Sequence, residues 1–224
     1  MNVLAVGAHW DDIELGCCLT IGRLRERGAT VYGVVLTDSE TFVPHAGHAR
    51  YAAEANVRHA RSAEEANREG LAAFKALGIE PLLVRKEATN ELRYSASLMQ
   101  QIDRAATEKA VDCVFTHWPG DVNTDHRATW ELSRVAFRNV RTLLCYRSNG
   151  YTDGVTEFRP NVFCGFSSER YEEKTRTLQL HATEWLYRKG RWQREIVDQE
   201  RYWGHLIGRD YAEGFAVCRL MDPW

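Results

Sequence analysis

The chain has 224 residues, 44% of them hydrophobic and 27% charged, with a formal net charge of −2 at pH 7. That length suits a single domain with a sizeable core, and the balanced charge predicts no nucleic-acid partner and no membrane partner, because both need concentrated positive charge. The N-terminal stretch lacks a basic-then-apolar leader pattern, and no apolar run nears the roughly 20 residues of a membrane span. The six cysteines form no CxxC pair and mostly sit in apolar runs, so a cytoplasmic location with reduced thiols is expected.

Residues 2–8 form a short apolar run that predicts a buried strand. A helix-like stretch follows from about residue 13 to 27 and stops at Gly28, a residue suited to the position after a helix. Residues 30–37, β-branched and apolar, predict the strand that closes a βαβ unit, the building block of parallel sheets. Residues 49–77 are rich in Ala, Glu and Arg and precede Gly78, which predicts one long helix or two. A short strand at 81–84, a helix at 95–109 and a strand at 111–116 come next. A loop at 117–125 and a helix at 126–140 follow. Residues 142–146, 161–166 and 215–220 are further strand candidates, and 169–181 is a helix candidate. The alternation predicts an α/β fold, a mainly parallel sheet with helices on both faces. No repeat or linker divides residues 1–224, so one domain is expected.

In such sheets ligands bind outside the carboxyl ends of the strands. Two predicted loops lie there, 9–12 and 117–126, and both are dense in His and Asp. The first offers His9 beside Asp11, Asp12 and Glu14. The second offers His117, His126, Asp121 and Asp125. One His and one Asp from the first loop with a His from the second make an N₂O set, and three protein ligands leave positions open for water and substrate, as at a catalytic zinc. An Asp ahead of a helix also serves as an N-cap, a role open to Asp12 and Asp125. His45 and His48 flank Gly47 in a stretch that suits a surface loop or a cleft wall. No GxGxxG follows the first strand, against a dinucleotide cofactor, and no GxSxG elbow is present.

The run from Ala8 to Cys17, AHWDDIELGC, resembles the AHPDDE-x-x-G signature of the PIG-L/LmbE-like deacetylases. The run from His117 to Arg127, HWPGDVNTDHR, resembles that family's second signature, H-x-P-x-D-x-N-x-D-H-R. Pro160 to Phe163, Lys174 with Leu178, and Tyr211 to Phe215 also look like the family. The resemblance implies a Rossmann-like fold, a divalent metal (Zn²⁺ or another first-row ion), and hydrolysis of an N-acetyl group on a small glucosamine-type substrate. It implies His9, Asp12 and His126 as metal ligands and Asp11 as general base. Asn123 stands where many members carry a His that stabilises the oxyanion. His181 and Glu184 stand where relatives often show an aromatic or His residue and a Gln, and His181 reads either as a substrate-facing group or as a surface residue at a helix end. Trp10 replaces the usual Pro, and its indole is expected to narrow the cleft or stack on substrate. Two rival readings remain: a deacylase or amidase of a longer acyl chain or non-sugar amide, and a Rossmann-like binding module without catalysis. A homo-oligomer is compatible with the chain.

Overall fold

The computed structural model describes residues 1–43, 59–151, 153–188 and 191–221. Strand β1 (Asn2–Gly7), helix α1 (Asp12–Glu26) and strand β2 (Thr30–Val35) form the first βαβ unit, and the two strands pair in parallel from Asn2 opposite Thr30 to Gly7 opposite Val35. A short antiparallel pair, β3 (Thr41–Val43) and β4 (His59–Arg61), stands apart from the main sheet. After it come α2 (Ala63–Leu77), β5 (Glu80–Pro81), α3 (Ala96–Glu108), β6 (Cys113–His117), α4 (Thr124–Ala136) and β7 (Thr142–Tyr146). The C-terminal part carries β8 (Val162–Phe166), α5 (Ser168–Leu178), α6 (Ala182–Arg188), α7 (Arg191–Leu206) and β9 (Tyr211–Leu220).

The main sheet runs β5-β2-β1-β6-β7-β9-β8. The first five strands are mutually parallel, and β9 is antiparallel to both of its neighbours. Successive side chains of a strand point to opposite faces, and both faces here are covered, as a parallel sheet requires. Val3, Ala5, Val35 and Phe115 look onto Ile13, Cys17 and Ile21 of α1 and Phe74 of α2. Leu4, Val6, Val34 and Val114 look onto Leu98 and Ile102 of α3 and Leu132 and Ala136 of α4. The α/β reading, a mainly parallel sheet with helices on both faces, therefore holds. Among the described residues no helix is long and apolar enough to cross a membrane.

Several boundaries differ from the sequence reading. Residues 59–61, placed in a helix by composition, are strand β4; the helix begins only at Ala63, where Ser62 accepts from the Glu65 backbone N–H and the Glu65 side chain returns to the Ser62 backbone. Residues 44–58, with His45 and His48, lie outside the described residues. The strand expected at 81–84 is the two-residue β5 at a sheet edge, where Pro81 needs no ladder donor. Helix α4 starts at Thr124, two residues earlier than expected, so Asp125 joins His126 in its first turn rather than ending the loop.

The direction of connection reverses between β1 and β6: β2 and β5 lie on one side of β1, and β6 and β7 on the other. The crevice at such a switch point is where open α/β sheets bind ligands. The loops that leave β1 and β6 are the two His/Asp-rich stretches, so sheet topology brings together groups more than 100 residues apart.

Candidate active site

His9, Asp12 and His126 converge at that crevice. His126 Nε2 lies 3.3 Å from His9 Nδ1 and 3.3 Å from Asp12 Oδ1, and His9 Nδ1 lies 3.4 Å from Asp12 Oδ2. These groups are close enough together to hold one metal ion. The far nitrogen of each imidazole meets a carboxylate: His9 Nε2 is 3.0 Å from Asp125 Oδ2, and His126 Nδ1 is 2.9 Å from Asp121 Oδ2. A carboxylate there fixes the tautomer, so that the near nitrogen carries the lone pair a cation needs. The donor set thus fits a divalent ion: two inward-facing imidazole nitrogens and a carboxylate, backed by two more anions. His117, Asp121 and His126 form a second grouping, but Asp121 lies 2.9 Å from the outer nitrogen of His126 and is better read as the support of that imidazole.

Neither aspartate reading as a simple cap survives. Asp12 accepts from the His9 backbone N–H at 2.7 Å and from the Ser148 hydroxyl at 2.8 Å. Asp125 accepts from the Asn90 backbone N–H at 2.7 Å. The cap of α4 is Asn123, whose Oδ1 accepts from the N–H groups of Asp125 and His126. Its amide –NH₂ end is thereby left as the end open to a ligand.

Asp11 occupies the N-cap position of α1 but makes no side-chain cap bond, and its backbone sits at φ 126°. A non-glycine residue rarely adopts that conformation, which costs about 1–3 kcal/mol. Its carboxylate is thus free of the helix end. Asp11 is half-buried, and burial, together with the Asp12 and Glu184 charges, pushes its pKa up to about 7 against the pull of Arg61 and His181. Burial works against charge on His9 and His126, yet their carboxylate neighbours overcome it and raise them to about 9 and about 10. Burial and the nearby His126 push His117 down to about 4. His117 stacks on His126 at 3.9 Å between ring centroids and accepts from the Ala8 backbone N–H, so it is a neutral wall behind the site.

His181 does not lie at the surface. It is fully buried; its Nδ1 is 3.4 Å from Arg61 and its Nε2 3.6 Å from Glu14 Oε1. Burial opposes its charge, but Glu14 and Asp11 raise its pKa. It has no exposed atom for a substrate to touch in this structure, and it acts on Asp11 only through its electrostatic influence. Arg61 is also buried, 3.7 Å from Glu69 and 3.7 Å from Glu184. Trp10 turns away from the cleft as well. It is 3% exposed, meets Phe74 edge-on at 5.0 Å, and lies so close to Gly70 that any side chain there would collide with it. Sequence reasoning missed Ser148 and Asn149, which hold Asp12 and Asp121. They follow β7, the next strand end along the same edge, and that position was the available signal.

A profile of the PIG-L family, described as GlcNAc-PI de-N-acetylase, matches residues 4–137. The chain belongs to the PIG-L family. The match takes in both His/Asp-rich loops, and membership places the chain among the N-deacetylase hydrolases. This PIG-L chain is 26% identical over 186 residues to the uncharacterised deacetylase YaiS of Escherichia coli (strain K12), covering 80% of this chain and 90% of that one. Its fold is similar to that of the N,N′-diacetylchitobiose deacetylase from Pyrococcus horikoshii, with a TM-score of 0.75, 20% identity, and coverage of 96% and 83% of the two chains. It is also similar to GalB, the 4-carboxy-2-hydroxymuconate hydratase from Pseudomonas putida KT2440, with a TM-score of 0.75, 16% identity, and coverage of 100% and 99%. At these identities the likeness speaks for the fold alone.

Proposed function

We propose that this PIG-L chain is a zinc-dependent hydrolase that removes the N-acetyl group from a small, glucosamine-type amino sugar, with Asp11 as general base. The observation that carries the reading is the convergence of His9 Nδ1, Asp12 and His126 Nε2 beside an uncapped, half-buried Asp11 carboxylate. A zinc ion held by His9, Asp12 and His126 would lower the pKa of water toward neutrality and polarise the acyl oxygen. Another first-row dication suits the same donors.

The remaining work falls to the chain. Asp11 takes a proton from the attacking water as the C–O bond forms and, with its raised pKa, holds it through the tetrahedral intermediate. The protonated Asp11 carboxyl then gives that proton to the amide nitrogen as the C–N bond breaks, which releases the amine and leaves the acid behind. The Asn123 amide offers an N–H to the developing oxyanion while its oxygen remains on α4. Arg61 stands behind Asp11 as positive charge and, with His181, limits how far its pKa rises.

The test is metal content together with acetate release from N-acetylated amino sugars, with and without chelator. About one zinc per chain and chelator-sensitive acetate release is the expected result. Asp11→Asn should keep its metal while turnover falls about 10²–10⁴-fold; wild-type turnover in that variant would remove Asp11 as the base. Bound metal with no acetate release would redirect the reading to a longer acyl chain or a non-sugar amide.

A further inference from the structure

The same edge of the sheet carries a cleft that the reaction above does not use. It opens between the loop after β6 and the loop after β7, with a volume of about 300 Å³, and Trp118, Val122, Arg147, Tyr151, Val155 and Phe158 line it. The cleft shares its walls with the metal-site support. Asp121, which holds His126, lies between wall residues Gly120 and Val122. Asn149, which donates to Asp121, lies between wall residues Arg147 and Tyr151. The cleft walls and the groups that support the His126 imidazole thus come from the same two loops.

Its chemistry is one-sided. Trp118 meets Phe158 edge-on at 5.5 Å, and Gly120 leaves room for that indole, since a β-carbon there would come within 2.6 Å of it. Tyr151 is 50% exposed and Val155 89% exposed at the rim, an apolar surface open to a sugar face. The wall's one acid, Glu157, is paired with Arg159 at 3.0 Å. Arg147 is half-buried, donates to the Tyr151 carbonyl at 2.9 Å, and has no ion-pair partner among the described residues. The Asp121 charge acts on Arg147, but that carboxylate is already bonded to His126 and Asn149 and makes no ion pair with the guanidinium. A guanidinium partly withdrawn from water with no ion pair of its own favours an incoming oxyanion, which it grips through two parallel N–H groups.

We propose that this cleft is a subsite for an oxyanion, a carboxylate or a phosphate, carried by the substrate away from its acetamide, with Arg147 as the recognising group. The subsite deepens the deacetylase reading and rests on it for the reaction it serves.

The experiment compares N-acetylglucosamine with its 1-phosphate, its 6-phosphate and N-acetylmuramic acid on the metal-loaded protein. The corresponding free amines are titrated calorimetrically in parallel. At least one anionic compound should exceed the neutral sugar in kcat/KM on the order of ten- to a hundredfold, mainly through KM. The phosphate and carboxylate arms say which anion is meant. Arg147→Gln should collapse that ratio to about 1. Arg147→Lys, which keeps the charge, should retain part of it, and Arg104→Gln, on the exposed face of α3 outside the cleft, should retain all of it. Acetate release with no preference for charge, or a preference that survives Arg147→Gln, overturns the subsite and leaves the deacetylase reading standing. No acetate release, with anionic amines binding wild type but not Arg147→Gln, overturns the deacetylase reading and leaves the subsite. No charge-dependent binding in either arm overturns the subsite.

Discussion

The two ends of the Asn123 amide are separable by mutation. The oxygen caps α4, and the nitrogen end is the proposed oxyanion donor. Serine caps a helix about as well as asparagine but has no amide N–H. Asn123→Ser should therefore leave the melting temperature nearly unchanged while kcat falls about 10²–10³-fold, as for loss of one oxyanion donor. An unchanged kcat would confine Asn123 to capping. Residues such as Asn123, His9, Asp12 and His126 were legible because two contiguous stretches on adjacent strands supply them, and each stretch is chemically dense on its own. Arg61, Glu14 and His181 were less so. Each is a charged or polar residue buried by partners from distant segments, and nothing local distinguishes it from a solvated side chain. Trp10 shows the opposite error. An aromatic replacing the signature proline reads as a cleft residue, yet the missing side chain at Gly70 draws it into the core.

At the level of elements, helix α2 depends on a sharp start. Composition alone extended it back to residue 49, whereas the Ser62–Glu65 capping box fixes its beginning and lets residues 59–61 pair as β4. Ser62→Ala should cost about 1 kcal/mol, a fall in melting temperature of about 2–4 °C for a chain of this size. No measurable change would mean that packing of Ala66 and Phe74, not the cap, sets the boundary. Helix α7 was missed for a different reason. Its buried stripe is Ile196, Glu200 and Trp203, and the charged residue in the middle breaks the apolar period. Strand β9 was read short on the same account: it begins at Tyr211 and includes Glu213, which is 1% exposed.

Across the whole molecule those two hidden glutamates meet. Lys174 of α5 is fully buried, 2.5 Å from Glu200 of α7 and 3.1 Å from Glu213 of β9. One ammonium faces two carboxylates, so one negative charge is in excess. Burial, with Glu213 adding to it, pushes Glu200 up to about 7, while Lys174 is held above its usual range by both acids. A carboxylate whose folded pKa is raised stabilises the fold below its unfolded pKa, and that contribution is lost as pH rises through the folded value. The window runs from about 4.5 to about 7, and the loss is up to about 3 kcal/mol. Lys174 stays charged throughout that window. The unfolding free energy of wild type relative to Glu200→Gln should therefore fall between pH 4.5 and 7.5; a difference that is flat or rises with pH would show Glu200 ionised across the range. The parallel half of the sheet was legible from βαβ alternation, but the antiparallel insertion of β9 between β7 and β8 was not, because no local pattern encodes which edge a returning strand will join.

That insertion has a consequence during synthesis. β9 supplies the neighbour of β7 and β8, and Glu213 also accepts from the backbone N–H groups of Leu19 and Thr20 in α1. Ribosomes add residues at about 5–20 per second, so the strand that closes this sheet emerges seconds after β7. In that interval the nascent chain exposes an unpaired strand edge, the kind of surface that recruits a second chain. The speed of translation through residues 147–220, as well as the stability of the finished fold, should then govern how much of the protein escapes aggregation when expressed.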